Sequence, residues 1–489
     1  DIDRITVDST RIDGLALHGK VSNDVMATEF IVFDSADHDK YVLSGNLKSL
    51  DNGTEVRLSP DGIILNYERW LVPENNFMRF GTTKFVAQQV ELSKGDEKII
   101  IHSDETDGSP ITVGFRKLAL EYLTSMVAEE RIATGLLDGD FKLYTSTEGT
   151  AFASDLSLTD LKLRDYPWGD ISLHVEQDTE NRFDVAFALS GNENDVKIDG
   201  YYVAGEAPTM NLKAAFNRFD LQSLQPLLMD QVRDLKGRLQ GELIARGTTQ
   251  QPDINGQLTV NNTSFFSNFL NTAFSVDDET IAFVDEGIAF DRFEVADPSG
   301  NTARLDGEIL TRDYRDFRFR LDLSTDNFRL LDTKKGDNDM FYGRIDINAN
   351  AKVRGDIELP VVDVTIGFSE GTNLTYIVPQ SEASAMQAEG IVKFVDRSFE
   401  SDPFMKEVEH ELSDTVKSTF TGIDLTARIE LTDQESFTII IDPVTQDQLT
   451  MRGNSTLTLQ MDPTGDMNLT GRIEIEEGTY NLSFYKFVK

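Results

Sequence analysis

The chain has 489 residues, no cysteine, and 85 acidic against 46 basic side chains, a formal net charge of −39. That balance argues against nucleic acid as a partner, since binding there neutralises phosphates with Lys and Arg, and against polybasic docking on anionic lipid. The missing cysteine excludes disulfides, thiolate metal sites and a cysteine nucleophile.

No apolar run reaches the roughly 18 residues that a membrane-spanning helix needs. The sequence opens at Asp1 without a Met or a signal-like segment, and reads as a mature region or a piece of something longer.

Residues 1–114 read as short strands. Leu15, Leu17, Gly19 and Val21 alternate with Ala16, His18 and Lys20, and Asp51-Asn52-Gly53 and Pro60-Asp61-Gly62 mark turns. Trp70 closes one such run and reads as a packed core aromatic. Residues 115–236 read as a β segment with two short helices. Leu120, Leu123, Met126 and Val127 predict one over about 115–133, and Leu221, Leu224, Leu228, Val232 and Leu235 predict another over about 219–235. Gly135, Gly237, Gly343 and Gly453 recur at intervals of about a hundred residues, a weak internal repeat of strand-rich units.

Residues 237–378 are the clearest sheet. Leu239 and Leu243 share a face, Leu258 and Val260 continue it, and Phe317, Phe319, Leu321 and Leu323 alternate with Arg318, Arg320 and Asp322. In FYGRIDINANAKVRG, Ile345, Ile347 and Val353 alternate with Asp346, Asn348 and Arg354. Residues 379–420 read as a loop with an amphipathic helix through Phe404, Val408, Leu412 and Val416. In 421–489 the alternation returns at Leu425, Ile429 and Leu431, then Leu457, Leu459 and Met461, then Ile473 and Ile475. The expected register puts Phe319, Leu321, Ile345, Ile347, Ile429 and Leu459 on one continuous apolar surface. Their neighbours Arg318, Arg320, Asp346, Asn348, Arg428 and Thr458 should face water.

Catalytic chemistry is absent from the pattern. The five histidines stand singly, no nucleophile-elbow, dinucleotide or phosphate-loop motif occurs, and Asp332, Asp337 and Asp339 lack the spacing of a calcium loop. We expect no enzyme activity, no metal and no cofactor. Alternation by itself fits an open apolar surface or closed β-sandwiches equally, since the inner faces of sandwiches show the same period. A sandwich-built enzyme or adhesin is therefore a further reading of the residues.

Four elements also carry a resemblance: DPSGN from Asp297, FYG from Phe341, IDP from Ile441 and EEGTYNLSF from Glu476. In their order and spacing, the stretches 274–309, 327–355 and 439–484 resemble the C-terminal region of the TamB family of AsmA-like proteins, the inner-membrane subunits of the translocation and assembly module. The likeness is good over about 215–489 and weaker over 1–214. It implies an all-β fold: a long, curved, mainly antiparallel sheet forming a U-shaped apolar trough, with a few short helices. At about thirty strands spaced ~4.8 Å, the sheet would be on the order of 140 Å long.

The resemblance further implies a periplasmic location in a Gram-negative cell envelope, with an inner-membrane anchor ahead of this sequence and further strands after Lys489. It implies carriage of phospholipid between the inner and outer membranes. The alternative is assembly of outer-membrane barrel proteins beside a TamA-type barrel partner. On this reading Leu239, Leu243, Leu258, Val260, Phe317, Phe319, Leu321, Leu323, Ile345, Ile347, Val353, Leu425, Ile429, Leu431, Leu457, Leu459, Met461, Ile473 and Ile475 line the lipid groove.

Overall fold

The computed structural model describes residues 5–7, 10–12, 14–81, 85–104, 110–125, 132–146, 149–179, 181–228, 231–337, 341–378, 422–442 and 447–481. Among them are 31 strands, one turn of α-helix and one 3-10 segment, so the protein is all-β. No helix among the described residues is long and apolar enough to cross a membrane. The chain forms two compact units, Asp1–Pro226 with Ile244–Thr249, and Leu227–Leu243 with Gln250–Lys489.

In the first unit, sequence neighbours pair antiparallel from the strand Gly14–Ser22 to the strand Thr209–Asp220. The helix expected over about 115–133 is corrected here. Residues 111–119 form the strand Ile111–Ala119, which pairs with Glu97–Ser103 on one side and Ala133–Ser146 on the other. Strand partners on both sides satisfy the backbone of residues 115–119, and the leucine spacing that predicts a helix begins only at Leu120, after the strand. Among the described residues of that span only the turn Glu121–Thr124 is helical; Met126 and Val127 lie outside the described residues. The second expected helix shrinks likewise. Thr209–Asp220 is strand, Leu221–Leu227 is a 3-10 segment containing Pro226, and Leu235 sits in the strand Val232–Thr248. Proline supplies no N–H for an i→i−4 ladder, which keeps the segment short.

In the second unit the meander continues antiparallel from Pro252–Ser267 to Leu359–Phe368. It then departs from the expected pattern. Leu359–Phe368 pairs parallel with Asp424–Leu431, and Asn373–Ile377 pairs parallel with Ser436–Asp442. A parallel pair needs a long crossover rather than a tight turn, and residues 379–421 lie between these strands in the chain. The loop and amphipathic helix expected over 379–420 lie outside the described residues. The last described strand, Met467–Asn481, pairs antiparallel with Asp447–Met461.

The recurring glycines mark close approaches of neighbouring strands. A Cβ on Gly343 (φ +132°) or on Gly453 would stand 2.1 Å from the carbonyl oxygen of Asn373 or Glu474. Gly307 (φ +121°) would meet the Arg320 carbonyl at 2.1 Å. Both its conformation and its space demand glycine there. We expect Gly307→Ala to destabilise the second unit by about 2–4 kcal/mol. Gly367→Ala, where the nearest atom is 4.0 Å away and φ is ordinary, should stay within about 1 kcal/mol. Urea unfolding of the two variants measures the difference.

Candidate functional site: an apolar face carried by registered strands

Side chains directly opposite in paired strands share a face, so the registers settle which residues line up. In the first unit one row runs Leu92, Ile99, Phe115, Gly139, Leu156, Leu173, Phe187, Ile198 and Ala214. The next rung holds Val90, Ile101, Val113, Phe141, Ser154, Val175, Val185, Gly200 and Leu212. Rings reinforce it: Phe152 stacks on Phe141 at 6.0 Å and on Phe183 at 4.5 Å. Opposite-facing neighbours such as Ser172, His174 and Glu176 are exposed.

The second unit has matching rows. Leu258, Ile281, Phe290, Gly307, Leu321, Val353, Val362, Leu425 and Met461 form one. Phe293, Leu305, Leu323, Ala351, Val364, Ala427 and Leu459 form the next. Val353, Ile345 and Ile347 alternate along one unbulged strand, with Ile345 opposite Leu331 and Ile347 between Phe328 and Phe368. Phe319 faces Ile309 and Gly355. Ile429 faces Ile366 and Leu457. Leu431 and Ile473 both face Ser455, and Ile475 faces Gly453. Val260 faces Glu279. Phe317 departs from its expected place in a strand: it precedes Arg318–Thr333, and its carbonyl accepts from Ile357 N–H at 2.9 Å. Leu239 and Leu243 are half-buried in Val232–Thr248.

Burial varies along this face. Phe319, Leu321, Val353, Leu425, Ile429, Leu457 and Leu459 are half-buried, Leu258, Val260, Ile347, Leu431 and Met461 are buried, and Leu323 and Ile475 are exposed. At Ile347 the cover is aromatic: Phe274 stacks on Phe328 at 5.6 Å, and Phe328 is the cross-strand neighbour of Ile347. One acid lies among the apolar residues. Burial raises the pKa of Glu279, with the nearby Glu294 carboxylate pushing the same way.

Of the residues expected to face water, Arg318, Arg320, Asn348 and Arg428 are exposed and Thr458 is half-buried. Asp346 overturns the expectation. It lies on the polar face, yet its side chain is 2% exposed. Arg329 Nε donates to it at 2.9 Å and Arg344 Nε at 2.6 Å, while its backbone N–H donates to Thr372 Oγ1 at 3.1 Å. Arg329's own N–H donates to buried Asp297 at 2.7 Å. Burial pushes the Asp297 carboxyl up, but hydrogen bonds from Arg329, Asn301 and Ser299 outweigh it and hold its pKa below the usual range. A carboxylate that two guanidiniums reach can be buried on a face that alternation alone assigns to water.

The rows of the first unit carry the same alternation in sequence: Ile171, Leu173 and Val175, then Phe183, Val185, Phe187 and Leu189. They belong to the site and were absent from the sequence-derived lining, which drew only on the region of stronger resemblance. Trp70 is 0% exposed, as expected of a core aromatic.

Among the described residues, no three His, Cys, Asp or Glu side chains are grouped to hold a metal ion. The surface that stands out is one face of a sheet, apolar rung by rung. That defines a class: an all-β protein that carries an extended apolar face on its sheet. A sequence model of the TamB C-terminal domain matches residues 188–288 and 291–488, and the chain belongs to the TamB family. Members of that family act in outer-membrane assembly or lipid transport, in the envelope of Gram-negative bacteria, and work with TamA-type partners. No curated protein and no solved structure matches the chain.

Proposed function

We propose that this chain carries phospholipid through the periplasm by holding acyl chains on the apolar face of its sheet, as the bridging part of an inner-membrane-anchored protein and without catalysis. The observation that carries the reading is the register. Apolar side chains stay on one face through nine paired strands in the first unit and nine in the second, while charged neighbours take the other face. Many of these side chains remain half-buried. Contiguous apolar surface on that scale calls for an occupant. Each methylene of an acyl chain moved onto it gains about 0.8 kcal/mol. The face offers no polar discrimination among chains, so a headgroup stays in water. The acidic surface keeps the carrier soluble.

Site-specific photo-crosslinking in cells tests it. A benzophenone side chain at Leu173, Leu321 or Leu459 should capture phospholipid, and one at the opposite-facing Ser172, Asp322 or Thr458 should not. Capture of unfolded barrel protein at the apolar positions, with no lipid, would move the assignment to outer-membrane protein assembly.

A further inference from the structure

The apolar face of the first unit is half-buried along most of its length and fully closed in one place. From one side, Leu17, Phe30, Leu43 and Ile63 run into that place in register. From the other side the rung of Leu92, Ile99 and Phe115 reaches it. There Trp70 and Ile63 are 0% exposed, and Leu118, Val72 and Tyr122 pack against them.

Among the described residues, part of the cover is the single helical turn Glu121–Thr124, which lacks a side-chain N-cap. A helix of this length has no stability of its own. Tyr122 stands edge-on to Trp70, ring centroids 5.2 Å apart. Side chains hold the turn down: Lys94 Nζ donates to Tyr122 Oη at 2.7 Å, Lys40 Nζ donates to the Ser125 carbonyl at 3.0 Å, and Tyr41 Oη meets Ser125 Oγ at 2.8 Å. Tyr41 lies in the strand at one end of a run of six paired strands, a span of about 24 Å if flat, and Ser125 ends the turn that follows the strand at the other end. Their contact therefore shows that the sheet curls round this core. The closed arrangement leaves the buried Trp70 indole N–H without an acceptor among the described residues. An orphaned buried donor opposes closure.

We infer that the turn Glu121–Thr124, with Tyr122 on Trp70, is a lid across the apolar face that must lift for an acyl chain to pass. The inference rests on the lipid-carrying function proposed above. Outside the lid the face can be occupied in either state. At the lid, an acyl chain and the Tyr122 ring compete for the same apolar surface over Trp70. Lifting the turn breaks the Tyr122 packing and these side-chain hydrogen bonds but no pairing between strands.

The absence of cysteine makes the test clean. Tyr41→Cys with Ser125→Cys, joined by a short reducible bismaleimide, ties the lid shut in the full chain. Transfer of a fluorescent phosphatidylethanolamine between phosphatidylcholine vesicles should fall about tenfold in the tied protein and recover on reduction. Lys94→Met, which frees Tyr122, should raise the rate. Benzophenone at Leu43 and at Leu173 should capture lipid in both states. Equal transfer by tied and reduced protein, with lipid captured at both positions, would overturn the lid alone. No capture at either position in any state would overturn the carrying function and the lid together.

Discussion

Ile347→Asp is expected to unfold the second unit, and Asn348→Asp, one residue along, to leave it intact. Ile347 is 7% exposed and lies between Phe328 and Phe368 on the flanking strands, with Phe274 stacked over Phe328. A carboxylate there would lose its hydration without gaining a partner, at a cost of several kcal/mol even after its pKa shifts upward. Losses above about 4 kcal/mol come from just such changes and consume much of a domain's stability. Asn348 is exposed on the other face, where an added charge stays within about 0.5 kcal/mol. Leu321→Asp separates stability from transport. Leu321 is half-buried, so water reaches it. The fold should survive with a modest loss while lipid capture at that rung drops. Thermal melting and lipid crosslinking, measured on all three variants, distinguish these outcomes. A folded Ile347→Asp protein melting within a few degrees of wild type would show that the face is open to water even at this position.

The second large effect concerns Asp346. Asp346→Ala leaves Arg329, whose side chain is 15% exposed, without its carboxylate, and strips Arg344 of its partner. Removing one member of a buried ion pair costs about 3–5 kcal/mol, because the remaining charge stays desolvated. Arg329→Met added to Asp346→Ala should recover a large part of the loss, since the stranded cation is then gone. The exposed pair of Arg318 with Asp356, at 2.8 Å, is the control. Asp356→Ala should cost no more than about 1 kcal/mol. Urea unfolding of the four proteins gives the comparison. A loss for Asp346→Ala as small as that for Asp356→Ala would show that the buried cluster is not a stabilising anchor of the sheet.

The alternation of side chains determined a great deal without help from the fold. It placed strands and assigned faces, so that Phe319, Leu321, Ile345, Ile347, Ile429 and Leu459 lie on the apolar side as their spacing requires. A side-chain period of two admits only one assignment of faces for a strand with one greasy side. The glycines at about hundred-residue intervals read in sequence only as a weak repeat; in the fold they sit where neighbouring strands approach closely. The same alternation is legible in Ile171, Leu173 and Val175, and gives the first unit an apolar face of its own.

What the tertiary structure decided lies beyond the reach of any local pattern. Leu120, Leu123, Met126 and Val127 carry the helical spacing, yet residues 115–119 of the expected helix are strand because strands flank them on both sides and satisfy their backbone. Two strand pairs run parallel because the chain between them is long enough to cross over, and alternation is blind to strand direction. Asp346 reads as a solvated residue and is buried because Arg329 and Arg344 converge on it across the sheet. Tyr122 and Trp70, 52 positions apart in sequence, meet because the strands curl until Tyr41, on the first of them, reaches Ser125 in the turn after the last. Periodicity fixes which side of a strand is apolar; only the curvature and company of the strands determine where that side is covered and where it is left open.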